Sequence, residues 1–155
     1  MDVWILPLDG SKPHPFAATP ATEVSGRFSP DGRWLSYVSD ESGREELFIA
    51  PFPGPGEKRQ VSKDGAEGSW WLGDGHQIAY MQSSDRKLIV VDLSIRGATL
   101  EIGASRTVFG GQSLPEGPLA VTHDGKRLLV GVAVDEAAPA QLEVVSNWTA
   151  ELRKK

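Results

Sequence analysis

One repeat constrains this chain more than any other feature. An Asp-Gly pair recurs in three similar settings: Phe28-Ser29-Pro30-Asp31-Gly32-Arg33, Trp71-Leu72-Gly73-Asp74-Gly75-His76 and Val121-Thr122-His123-Asp124-Gly125-Lys126. Each has an apolar residue three positions before the Asp, and further apolar residues four and six positions after it: Leu35 and Tyr37, Ile78 and Tyr80, Leu128 and Val130. Asp and Gly tolerate the positive φ that tight turns require, and residues two apart on a strand share a face. The pattern therefore predicts a strand, a two-residue turn and a second strand, three times over. The Asp residues are 43 and 50 positions apart, close to the length of one four-stranded propeller blade.

A second repeat keeps phase with the first. Val3-Trp4-Ile5-Leu6-Pro7-Leu8-Asp9-Gly10 matches Leu47-Phe48-Ile49-Ala50-Pro51-Phe52-Pro53-Gly54, 44 residues later, and Leu88–Leu93 and Leu142–Val145 follow in the same phase. These short β-branched and aromatic runs read as third strands, with weaker fourth strands at Lys12–Ala17, Lys58–Ser62 and Arg106–Phe109. With 17 Gly and 11 Pro, the chain has little room for long helices. The expected fold is all-β: a partial β-propeller of about three four-stranded antiparallel blades, with a short C-terminal helix. The expected segments are the end of a blade at 1–20, blades at 21–65 and 66–112, an incomplete blade at 113–147 and a tail at 148–155. Such a section of a ring leaves an apolar sheet face at each end, so self-association or completion by another propeller fragment is expected.

Charge and composition exclude several classes. Sixteen basic and 21 acidic residues give a net charge of −5, so no broad cationic surface for nucleic acid or anionic lipid is expected. The absence of Cys removes disulfides, thiolate chemistry and zinc-thiolate sites. No run of about 18 apolar residues occurs, and the N-terminus lacks the basic and apolar regions of a signal peptide. The chain as encoded is expected to be soluble and cytoplasmic, or extracytoplasmic if it is part of a larger membrane-anchored parent.

The segment Arg27–Ser39, followed by Glu41-Ser42-Gly43 and Leu47-Phe48-Ile49, resembles a TolB-type, WD-like propeller repeat. Pro51-Phe52-Pro53-Gly54-Pro55-Gly56 and the ending Val144–Leu152 further resemble the C-terminal propeller of bacterial receptor-like serine/threonine protein kinases. The resemblance implies a propeller that serves as a sensor or protein-interaction region downstream of a kinase domain. The motif decays along the chain: Leu72-Gly73 and Thr122-His123 stand where the first unit has Ser29-Pro30. The glycine-rich loop, His-Arg-Asp and Asp-Phe-Gly motifs of a kinase are all missing.

Candidate sites each have a structural reading beside the functional one. Asp31, Asp74, Asp124, His76 and His123 could hold a metal if the turns ring one end of a channel, but Asp is also what such turns need. His76 and His123 stand at different offsets from their Asp, which works against convergence. Trp70 and Trp71 must point to opposite faces of a strand, and whichever faces outward is a candidate for contact with a protein or peptide ligand. No Gly-x-Ser-x-Gly elbow occurs, and His14 lies between two prolines. Gly54-Pro55-Gly56-Glu57-Lys58 lacks the phosphate-loop pattern. Asn147-Trp148-Thr149 matches a glycosylation sequon, a pattern common by chance. The expectation is a non-catalytic binding or assembly segment with no cofactor. The alternatives are an accessory propeller of a prolyl-peptidase-like hydrolase and a small hydrolase in its own right.

Overall fold

The computed structural model describes residues 1–54, 56–109, 120–122, 124 and 126–129. Among them every regular element is a strand: β1 (Val3–Ile5), β2 (His14–Ala17), β3 (Glu23–Phe28), β4 (Trp34–Ser39), β5 (Glu46–Pro51), β6 (Arg59–Gln60), β7 (Ser69–Leu72), β8 (Gln77–Met81), β9 (Leu88–Arg96), β10 (Thr99–Phe109), β11 (Ala120–Val121) and β12 (Leu128–Leu129). The helix expected at 148–155, the third strand expected at Leu142–Val145 and His123 lie outside the described residues.

The strands form four antiparallel sheets in chain order: β1–β2, β3–β4–β5–β6, β7–β8–β9–β10 and β11–β12. Both four-stranded sheets are meanders, in which each strand pairs with its sequence neighbour. The sheets stack in series. Val3, Ile5, Phe16 and Ala17 of the first sheet pack on Leu35, Tyr37, Phe48 and Ala50 of the second. The opposite face of the second sheet, with Trp34, Val38, Leu47 and Ile49, meets Ile78, Tyr80, Ile89 and Val91 of the third. The far side of the third sheet carries Leu72, Ala79, Met81, Leu88 and Val90, and β11 lies alongside its strand β7.

This layering explains why β4 is buried at all six positions, polar ones included. A strand covered on both faces cannot show the apolar-polar alternation of a half-exposed one. Its serines carry their own partners: Ser36 Oγ lies 3.0 Å from Ser69 Oγ of the third sheet, a polar tie across an otherwise apolar interface. The first sheet approaches the second closely at Gly26, where a Cβ would lie 3.1 Å from Val3 Cγ1.

Two local expectations are corrected. The Asp-Gly connections are not two-residue turns. Ser29 N–H bonds the Trp34 carbonyl at 2.8 Å and Gly32 N–H bonds the Ser29 carbonyl at 2.9 Å, so Pro30–Arg33 form a four-residue loop with Gly32 at φ 70°. Gly75 repeats this arrangement, with its N–H on the Leu72 carbonyl at 2.9 Å and φ 90°. Four-residue hairpin loops built on a tight turn accommodate the Asp side chain inside the loop, which a two-residue turn does not. The last strand of the third sheet is also longer than Arg106–Phe109. It runs from Thr99 because Gly97, at φ 61°, reverses the chain directly after β9.

Candidate functional site

The turn aspartates serve their own loops. Each accepts the backbone N–H two residues on: Arg33 to Asp31 at 3.0 Å, His76 to Asp74 at 3.1 Å and Lys126 to Asp124 at 3.0 Å. Asp31 also accepts Ser29 Oγ–H at 2.6 Å and pairs with Arg33 Nε at 2.7 Å. Those bonds, the serine's foremost, hold its carboxyl at about 2. Asp74 is likewise lowered, chiefly by the His76 backbone N–H.

The stack brings Asp74, His76, Asp124 and Asp92 to one open groove of about 540 Å³, and Asp31 does not line it. Asp92 is engaged there by Gln77 Nε2 at 2.6 Å and an Arg106 guanidinium nitrogen at 3.3 Å. Among the described residues, no group of three or more His, Asp or Glu side chains is placed to hold a metal ion.

Trp70 and Trp71 point to opposite sides of β7, and both are half-buried. Trp71 turns to the second sheet, where its Nε1–H donates to the Arg27 carbonyl at 3.2 Å. Trp70 packs on the far face of the third sheet, with the Arg27 guanidinium carbon 5.8 Å from its ring centre. Both thus reach Arg27 of the second sheet, Trp71 through its hydrogen bond and Trp70 through the guanidinium over its ring.

A different surface has the form of a binding groove. Between β2 and the second sheet lies a cleft of about 680 Å³, lined by His14, Phe16, Tyr37, Pro51, Pro53 and Lys58 among others. Its aromatic residues pack ring on ring: Phe16 meets Tyr37 edge-on at 6.3 Å, and Tyr37 stacks on Phe48 behind it at 6.0 Å. Lys58 Nζ stands 5.5 Å from the Phe48 ring centre and pairs with Glu41. Burial, helped by the charges of Glu41 and Glu23, pushes the Tyr37 phenol up to about 12, so its O–H stays protonated. One repeat later a cleft of about 560 Å³ separates the second and third sheets, with Tyr80 in the place of Tyr37. Burial, then Glu46 and Asp64, raises that phenol too. An apolar, proline-bordered wall with a cation and a phenol at its rim suits an extended peptide.

The serine hydroxyls of the core are engaged structurally. Ser62 Oγ–H donates to Glu46, while Ser62 Oγ accepts Leu47 N–H at 2.8 Å. Glu46, 1% exposed, also accepts Gly65 N–H at 3.1 Å and Arg44 Nε–H at 2.7 Å. It thereby anchors the connection from the second sheet to the third. Glu23, also 1% exposed, takes the Thr19 hydroxyl at the boundary of the first two sheets. Neither carboxylate stands out in the sequence, where a Glu at the start of a strand reads as an exposed strand end. The groove residues are equally hard to foresee, because they come from strands of two sheets.

Among the described residues, no helix is long and apolar enough to cross a membrane. No family model matches the chain. Among curated proteins the chain is similar to Tricorn protease homolog 1 of Streptomyces coelicolor, at 29% identity over 130 residues covering 80% of this chain. The chain spans 11% of that protein's length.

Proposed function

We propose that the chain is a non-catalytic section of a β-propeller, of about three four-stranded blades, that holds an extended peptide for a protease. One observation carries this reading: most of the chain is similar to a small portion of a protein named as a protease homolog. The serial stack of antiparallel meanders supports the propeller part of the reading. The cleft walled by Phe16, Tyr37 and Pro51 supports peptide binding. The kinase-sensor reading rests on Pro51–Gly56 and Val144–Leu152 of the sequence alone, so it stands second.

The test is a panel of fluorogenic peptides and esters with a parallel binding titration. The expected result is peptide binding without turnover, lost on Phe16→Ser or Lys58→Glu. Hydrolysis that follows the purified chain would refute the non-catalytic role. Unchanged binding in both variants would move the site elsewhere.

A further inference from the structure

The Tyr37 phenol is the least explained polar group of the cleft between the first two sheets. Tyr37 is 4% exposed and lines that cleft, yet among the described residues its O–H has no hydrogen-bond partner. A fully enclosed polar atom without a partner is costly, and among the described residues Trp34 Nε1 alone is in that position. The Tyr37 oxygen is therefore buried without being sealed. It opens to the cleft, and its surroundings keep it protonated and able to donate.

A series of rings leads to that donor. Phe28, half exposed, meets Phe52 at 4.9 Å, Phe52 meets Phe16 at 5.9 Å, and Phe16 meets Tyr37. The backbone along the same cleft has few N–H groups to give. Pro15, Pro51 and Pro53 have none, and Phe52 N–H already bonds the Arg33 carbonyl at 2.7 Å. A peptide that adds a strand exchanges N–H and C=O groups with a sheet edge, and such a peptide is poorly served here. A polyproline helix makes no such demand. Its proline rings rest on aromatic side chains, and its carbonyls, free of internal bonds, accept from isolated side-chain donors.

Charge narrows the ligand further. In a chain of net charge −5, the described lining of the cleft holds His14 and Lys58 and no carboxylate. Glu41 pairs with Lys58 from outside that lining, and an ammonium has three N–H donors, so Lys58 keeps donors for a carboxylate of the ligand.

We propose that the peptide this cleft takes is proline-rich and acidic and is bound as a polyproline helix, with prolines on Phe28, Phe52 and Phe16, a backbone carbonyl on the Tyr37 O–H and a carboxylate on Lys58. This rests on the reading of the cleft as a peptide site and adds the conformation and chemistry of the peptide.

Fluorescence anisotropy with the whole chain tests it. The probes, all amidated at the C-terminus, are a dye-labelled oligoproline ending in glutamate, the same peptide ending in lysine, and a labelled peptide of equal length that alternates valine and threonine and ends in glutamate. The oligoproline with glutamate is expected to bind tightest. Tyr37→Phe is expected to weaken its binding about tenfold, as loss of one hydrogen bond does. The thermal midpoint of that variant should stay at the wild-type value, because the deleted O–H bonds nothing in the protein. Lys58→Ala is expected to erase the difference between the glutamate and lysine endings.

Equal binding of the oligoproline by wild type and a folded Tyr37→Phe would overturn the inference. So would a valine-threonine peptide bound as tightly as the oligoproline, a result that keeps the cleft as a peptide site and removes the polyproline helix. Wild-type binding indifferent to the last residue would overturn the carboxylate contact. If none of the three peptides binds, this inference and the peptide-holding reading fall together.

Discussion

At the residue scale, the buried carboxylates and the turn glycines contribute most for their size. Glu46 is fully buried and satisfies Ser62 and Gly65 while meeting Arg44. Glu46→Ala leaves the Gly65 N–H and the Ser62 hydroxyl without their acceptor, so a loss of about 3 kcal/mol is expected in urea unfolding. Gly32 and Gly75 both have positive φ, but they differ in surroundings. A Cβ at Gly32 meets nothing within 4 Å, whereas one at Gly75 lies 3.2 Å from Pro30 Cδ of the neighbouring loop. Gly32→Ala should cost about 1 kcal/mol from backbone strain alone, and Gly75→Ala measurably more.

The titrating groups act in opposite directions. Asp31 is held at about 2, below its ordinary 3.8, so its contribution is present above 3.8 and fades as pH falls through that window. The group is solvent-exposed and the effect small; Asp31→Asn should flatten the acid limb of the stability curve slightly. Tyr37 is raised from 10 to about 12, so its contribution is complete below 10 and is lost as pH rises toward 12. With two tyrosines in the chain, both raised, phenolate absorbance should remain absent around the ordinary tyrosine range and rise only at higher pH, together with unfolding.

At the scale of elements, covering both faces sets the order of stability. β4, β5, β8 and β9 lie in the middle of the stack and are buried over most of their length. β1 and β2 form a two-stranded sheet covered on one face, and β10 is exposed over its second half. Amide hydrogen exchange should be slowest in the four inner strands and fastest in β1, β2 and the second half of β10. The repeat makes much of this readable in advance. Leu35, Tyr37, Ile78 and Tyr80 follow from their offsets to the turn Asp, and all four are buried. The long β9–β10 hairpin is less readable, because its two-residue turn, Gly97-Ala98, has a single turn-forming residue and lacks the Asn-Gly or Asp-Gly signature.

At the scale of the whole molecule, the larger contacts between sheets among the described residues, β1 with β3, β3 with β7 and β7 with β11, join sheets that follow one another in the chain, so a change at one junction is felt first at that junction.

Strand order, the meander pairing and the inward residues of the hairpins come from local pattern: period-two alternation and loop residues act over a few positions, and a chain carries them in its own order. The cleft beside Tyr37, the burial of Glu46 and the placing of Asp74 beside Asp124 arise only when successive sheets and the segments joining them pack together. No periodicity encodes which side chains will face one another across such a junction, because that depends on the packing of the two surfaces. The repeat thus specified the units, and the stacking of those units made the clefts between them.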